Sequence, residues 1–297
     1  MNLSIIIPAY NEQDSLKQNL PAWIDFCKSK GWTLIIVNDG STDKTRDILS
    51  SIPKSESIKI VEHKVNRGYG AAIKSGFNEV TTEFALTMDA DGQHALSSIE
   101  DLIETQENTD ADLVIGSRVE NKHSVRSFGK MIIRWISRLL IPNKISDLNS
   151  GMKLYRTSLA RKYLPLCPNS MAFSDVITLS FLADRNLVIE TPITTHPRKT
   201  GKSTINLNTA FDTIIEIVNI VMLFNPLRIF LPLSLIFLLG GLIWGIPIVI
   251  SGRGVSVGAM LAIITGFLCL IIGLIAEQLS NIRMSLILDK KENKLDE

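Results

Sequence analysis

Cysteine is scarce in this 297-residue sequence: Cys27, Cys167 and Cys269 stand far apart, odd in number, with no CxxC or metal-ligand spacing. That scatter speaks against a disulfide framework and points to a reducing compartment. Charge of one sign is equally lacking. The formal net charge is +1 with no sustained basic tract, so there is no case for a nucleic-acid partner. The first residues carry no basic n-region and no cleavage site, and lead straight into Leu3-Ser4-Ile5-Ile6-Ile7-Pro8. They read as a strand opening a cytoplasmic domain, not as a signal peptide. No GxxxxGK(S/T) occurs, so P-loop chemistry is not indicated.

What is present is unevenly placed. The hydrophobic fraction is 45% and the mean hydropathy +0.21, but the apolar residues accumulate after residue 205. Ile229–Ile250 and Val255–Ala276 run without a formal charge. As helices each would measure roughly 33 Å, enough to cross a hydrocarbon core of about 30 Å. Only Ser251-Gly252-Arg253-Gly254 separates them, which predicts a tight hairpin. Pro232 and Pro247 fall near the ends of the first run, where a missing backbone bond is tolerated. Arg198, Lys199, Lys202 and Arg228 precede the pair and Arg283, Lys290, Lys291 and Lys294 follow it, against Arg253 alone in the turn. Positive-inside bias therefore predicts a multi-pass membrane protein with both ends, and the catalytic domain, in the cytoplasm.

Two more stretches read as interfacial. In Arg126–Leu140 the residues Arg126, Lys130, Arg134 and Arg138 form a basic stripe beside an apolar face bearing Trp135. Leu207–Leu223 is apolar almost all round and leads into the first span. The expected organisation is a catalytic domain over 1–205 that includes the basic helix at 126–141. An interfacial helix at 206–228, a transmembrane hairpin at 229–280 and a cytoplasmic tail at 281–297 complete it.

The first two-thirds alternates β-branched runs with helical segments. Strands are expected at Leu3–Ile7, Thr33–Asn38, Ile58–Glu62, Phe84–Met88 and Leu113–Ser117. Helices are expected near Asp14–Lys30, Thr42–Ser50, Tyr69–Glu79 and Ser97–Glu107. Such alternation predicts an α/β domain with a mostly parallel sheet, whose ligands gather at the carboxyl ends of its strands. Four successive strand ends are polar: Pro8-Ala9-Tyr10-Asn11-Glu12, Asn38-Asp39-Gly40-Ser41-Thr42-Asp43, Asn66-Arg67-Gly68-Tyr69-Gly70 and Asp89-Ala90-Asp91-Gly92-Gln93-His94. One such cluster is an ordinary turn; four together describe a site. Asp89 and Asp91 flank one residue on an extended segment and can converge, which suits Mg²⁺ or Mn²⁺, with Gln93 as a further oxygen. Asp39 can accept from a base N–H. Asp43 reads as a helix N-terminal residue.

These clusters resemble the inverting family 2 glycosyltransferases of GT-A fold. Gly116-Ser117-Arg118, Asp147-Leu148-Asn149-Ser150-Gly151 and Arg198-Lys199-Thr200-Gly201-Lys202-Ser203 extend the likeness to the polyprenyl-phosphate branch. That branch holds the dolichyl-phosphate mannosyltransferases and bacterial polyprenyl-phosphate glucosyltransferases. The resemblance implies transfer of a hexose from a nucleotide sugar, of GDP-mannose or UDP-glucose type, to a polyprenyl phosphate. It implies that Pro8, Tyr10, Glu12, Asp39, Gly68, Asp89 and Lys202 bind the donor, and that Asp89, Asp91 and Gln93 hold Mg²⁺ or Mn²⁺. Arg118, Arg134, Arg138, Arg198 and Lys202 would bind the acceptor phosphate, and Asp89, Asp91 and Arg118 would carry the catalysis. A homo-oligomer is compatible with the sequence. Transfer to a hydroxyl acceptor, with Asp147 as base, is the competing enzyme reading, although no Gln-x-x-Arg-Trp motif accompanies Arg134-Trp135. A non-catalytic membrane scaffold is the competitor of another class.

Overall fold

The computed structural model describes residues 1–53, 55–118, 145–194, 218, 221, 222 and 224–292. The chain divides into two compact units, one within Met1–Ser124 and Asn143–Thr204, the other including Ile205–Glu297. Arg126–Leu140, with Arg134 and Arg138, lies outside the described residues, as do Arg198, Lys202 and most of Leu207–Leu223.

The first unit is a seven-stranded sheet in the order β3-β2-β1-β4-β6-β5-β7. Its strands are β1 (Leu3–Ala9), β2 (Thr33–Asn38), β3 (Ile58–Glu62), β4 (Phe84–Thr87), β5 (Leu113–Arg118), β6 (Lys153–Arg156) and β7 (Val188–Ile193). Its helices are α1 (Gln13–Lys30), α2 (Thr45–Ser50), α3 (Tyr69–Glu79), α4 (Ser97–Thr109), α5 (Thr157–Tyr163) and α6 (Phe173–Ala183). Every residue of β1 is buried, as expected of a parallel strand covered on both faces. One layer packs Leu16, Leu20 and Trp23 of α1 and Leu102 of α4 against Leu3, Ile5, Ile7, Leu34 and Ile36. On the other, Phe77, Tyr155, Phe181 and Tyr163 stack ring against ring at 5.0–6.2 Å.

The five expected strands are all present, with small shifts of boundary. The expected helix at Thr42 instead starts at Thr45. Asn11, held at φ 56°, accepts from the Thr42 and Asp43 backbone N–H groups, and Asp43 Oδ1 accepts from Thr45 N at 2.9 Å. These side-chain bonds keep 42–44 as loop. Asp43 thus sits at the helix N-terminus.

β6 departs from the parallel pattern. It runs antiparallel to both β4 and β5, pairing Thr87 with Lys153 and Ile115 with Lys153. Its beginning, not its end, therefore lies beside the carboxyl ends of its neighbours.

The second unit is a helical hairpin of α7 (Leu227–Ile250) and α8 (Val257–Glu292). A Cβ at Gly266 would crowd Leu238 at 2.6 Å and one at Gly273 would crowd Phe230 at 2.6 Å, so glycine permits the close approach of the two helices. Their most apolar windows have mean hydropathies of 2.4 and 2.7, yet only 11% and 17% of each is buried. Ile236, Ile243, Trp244, Phe267, Ile272 and Leu279 point outward. A buried core helix would hide such residues; a lipid-facing one exposes them.

Candidate active site

The carboxyl ends of β1, β2, β3, β4 and β5 and the start of β6 line one edge of the sheet. The β1/β4 boundary, where strand order reverses, is the crevice in which such sheets bind ligands. Asp89 follows β4 with its side chain 35% exposed. The Tyr69 hydroxyl donates to its Oδ1 at 3.0 Å, and His94 Nε2 stands 3.8 Å from its Oδ2. His94 Nδ1 is buried with no partner among the described residues, so the ring proton belongs on Nε2, facing the carboxylate. Burial works to raise the Asp89 pKa, but His94, the Tyr69 hydroxyl and the Arg118 charge outweigh it and hold the group below the usual carboxylate value.

The backbone of Gly151 closes the other side of Asp89: a Cβ there would lie 2.5 Å from Oδ1 and nearer still to Cγ and Oδ2. Asp91 Oδ1 accepts from Gln93 N at 3.1 Å, and the Ser15 hydroxyl donates to Ala90 O, tying the acidic loop to α1. Burial, then Asp89 and Tyr155, raise the Tyr69 pKa well above the usual phenol value. The phenol stays protonated and serves as a donor. Among the described residues no cluster of three His, Cys, Asp or Glu side chains forms a closed metal cage. Asp89, Asp91 and Gln93 offer oxygen donors, the chemistry that Mg²⁺ or Mn²⁺ takes when it is shared with substrate phosphates.

Asp39, 3% exposed, ends up elsewhere. Its Oδ1 accepts from Arg67 N at 2.9 Å and lies 2.6 Å from His63 Nδ1, and its Oδ2 accepts from Gly68 N at 2.8 Å. The carboxylate thus pins the loop before α3. Gly68 has φ 97°, and a Cβ there or at Gly70 would meet Asn169 C at 3.3 or 3.0 Å, so this turn lies flat against the segment before α6. Tyr10 is 45% exposed, Pro8 is buried, and Glu12 N donates to Thr45 Oγ1 at 3.0 Å.

Arg118, at the end of β5, forks onto Asp147: Nε to Oδ2 at 2.8 Å and Nη2 to Oδ1 at 3.0 Å. Burial opposes ionisation of Asp147, but the Arg118 hydrogen bonds and charge prevail and keep its pKa low. A carboxylate held this way is a weak base.

Several residues of this edge escape sequence reasoning. Lys153 is fully buried, its ammonium donating to Leu148 O (2.7 Å), Ser174 O (2.6 Å), Ser174 Oγ (2.6 Å) and Thr178 Oγ1 (2.8 Å). Burial pulls its pKa down, opposed by Asp175, Asp147 and Asp89. In the sequence it is a lone lysine in the run Met152-Lys153-Leu154-Tyr155, a pattern that carries no chemical signal. Tyr69 lies inside the Asn66–Gly70 cluster, where nothing marks its hydroxyl, and His63 gives no signal beyond following a strand.

Residues 4–164 match the model for glycosyl transferase family 2, and residues 225–282 match that of the GtrB C-terminal hairpin. The undecaprenyl-phosphate 4-deoxy-4-formamido-L-arabinose transferase of Edwardsiella ictaluri is 30% identical over 206 residues, covering 68% of this chain and 62% of the relative. The dolichyl-phosphate beta-glucosyltransferase ALG5A of Trichomonas vaginalis is 32% identical over 169 residues, 52% of either chain. The chain therefore spans less than two thirds of each of these relatives. Glucosyl-3-phosphoglycerate synthase of Mycobacterium tuberculosis, solved with Mn²⁺, uridine diphosphate and phosphoglyceric acid, superposes with a TM-score of 0.60 at 14% identity, covering 74% of this chain and 78% of that one. S. aureus TarS 1-349 in complex with UDP-GlcNAc gives 0.53 at 18%, covering 75% and 67%. Likeness at such identities establishes the GT-A fold. The hairpin match and the outward apolar faces make α7 and α8 a candidate membrane hairpin and the chain a membrane protein.

Proposed function

The chain belongs to glycosyl transferase family 2, and on that premise we propose that it transfers a hexose from a uridine diphosphate sugar to a polyprenyl phosphate, with inversion, at the cytoplasmic face of a membrane. The observation that carries this reading is the Asp89 carboxylate just past β4, held by the Tyr69 hydroxyl at 3.0 Å, on the same sheet edge as Arg118 clamped on Asp147. A bound Mg²⁺ or Mn²⁺ would neutralise the donor diphosphate and stabilise the nucleoside diphosphate as it leaves. Asp89 and Asp91, with Gln93, would hold it.

The chain's own residues do the rest. The anomeric carbon–oxygen bond to the diphosphate breaks as a bond to an oxygen of the lipid phosphate forms. That nucleophile is already an anion and needs no general base, in keeping with the low basicity of Asp147. It needs a cation held in place. Arg118, its side chain 41% exposed and oriented by Asp147, would supply one. Arg134, Arg138, Arg198 and Lys202, outside the described residues, would complete the phosphate-binding set.

With Asp39 as the residue that meets the base, uracil suits it better than guanine. A carboxylate offers about four acceptor positions. Asp39 already uses two on Oδ1 and one on Oδ2. The remaining one matches the single N3–H of uracil, whereas the adjacent N1–H and N2–H of guanine need both oxygens. The uridine nucleotides in the solved neighbours agree with this reading. Basic residues flanking the hairpin support the cytoplasmic orientation.

The test is a panel of radiolabelled UDP- and GDP-sugars against one polyprenyl phosphate, read as label extracted into organic solvent. Label on a lipid phosphate from a UDP-sugar is the expected result. Label transferred instead to a hydroxyl lipid or a sugar would favour the competing acceptor class.

A further inference from the structure

Asp39 is held from two directions. One is the glycine loop that it pins. The other is His63, the first residue past β3, 7% exposed, whose N–H donates to Asn38 O at 2.9 Å. His63 Nδ1 lies 2.6 Å from Asp39 Oδ1, and Nε2 lies 2.8 Å from Ser75 Oγ in α3. Asp39 Oδ1 also accepts from Arg67 N, so His63 Nδ1 faces it as a second donor, while Nε2 pairs with the Ser75 hydroxyl. The linked groups run from Ser75 through His63 to Asp39. They fill Oδ1, whereas Oδ2 accepts from Gly68 N alone among the described residues.

We propose that His63 is a positioning residue of the donor pocket: by occupying Asp39 Oδ1 it orients the carboxylate, directs its remaining acceptor to the nucleotide base and restricts that base to one with a single N–H. This rests on the reading of Asp39 as the residue that meets the base. His63 touches no substrate. It acts through Asp39, and Ser75 acts through His63 by holding the far side of its ring.

Two substitutions separate positioning from simple packing. The Asn side-chain amide can stand where Nδ1 stands and keep the bond to Asp39; the Gln amide reaches the Nε2 position and keeps only Ser75. With the full-length chain in detergent, His63→Gln is expected to raise the UDP Kd and the UDP-sugar KM about tenfold, as for loss of one charge-assisted hydrogen bond. Its kcat and acceptor KM stay near parental values, and its preference for UDP over GDP narrows because Oδ1 is released. His63→Asn is expected to restore UDP binding to within about threefold. Ser75→Ala, which leaves His63 in place, should raise the UDP Kd about two- to threefold, and it remains informative if the Gln variant does not fold. Equal losses in the Asn and Gln variants, or an unchanged UDP Kd in Ser75→Ala and His63→Gln, overturn the proposal. Asp39→Asn is the control. If it leaves UDP binding unchanged, the reading of Asp39 fails at its root; if it weakens binding while His63→Gln does not, the His63 role alone falls.

Discussion

Replacing Gly151 with alanine tests the acidic site without touching a charged group. The new Cβ would stand 2.5 Å from Asp89 Oδ1 and closer to Cγ and Oδ2. Relief demands a displacement of about 1 Å to reach an ordinary non-bonded distance. The loop resists: Thr87 Oγ1 donates to Gly151 O at 3.0 Å, Ser150 Oγ to Gly116 O at 2.6 Å and Ser174 Oγ to Ser150 O at 2.7 Å. Asp89 is more lightly held, by Tyr69 at 3.0 Å and the more distant His94, so the carboxylate is the part that moves. A misplacement of about 1 Å costs on the order of a hundredfold in rate, or ~2.7 kcal/mol of barrier. The backbone at 151 is not left-handed, so alanine adds no backbone strain there and the clash falls on the Asp89 carboxylate. The assay is the initial rate of lipid labelling across a Mn²⁺ titration, where kcat should drop and half-saturation rise. A Gly151→Ala rate within about threefold of the parent, with the same Mn²⁺ requirement, would refute the idea that Asp89 must stay where Gly151 lets it lie.

Asp91→Ala should abolish transfer to lipid phosphate while the protein remains folded and membrane-bound; near-parental turnover removes the metal role. Arg118→Glu should raise the acceptor KM far more than the donor KM, and equal effects would count against a lipid-phosphate contact. Lys153→Met leaves the Leu148 and Ser174 carbonyls without their buried donor, and should lower the unfolding free energy by about 2–4 kcal/mol in a denaturant titration. Asp147 has its folded pKa depressed, so it contributes stability above the unfolded value of about 4 and loses it as pH falls through the lower folded value. Asp147→Asn should flatten that acid limb; an unchanged pH profile of stability would show that the Arg118 fork contributes nothing to it.

Much of the sheet was legible because buried parallel strands are near-continuous runs of Ile, Leu and Val, as in β1 and β2. The acids of the site were legible because they sit immediately past strand ends. The rest hid for physical reasons. β6 has a lysine at its start and only four residues, so neither length nor alternation marked it. Tyr69 and His63 reach their partners across strands, through pairings that no local window contains. Asp39 was read for its chemistry, yet its neighbours, the N–H groups of Arg67 and Gly68, give it a loop-holding task that only the fold reveals.

The reversed direction of β6 has a consequence for synthesis. A nascent chain that has extruded β1 through β5 still presents one edge of β4 and both edges of β5 unpaired, because β6 and β7 are made later. The wall of Asp89 at Gly151 and the clamp of Arg118 at Asp147 arrive together with β6. No fragment ending at residue 118 can therefore serve as a minimal enzyme.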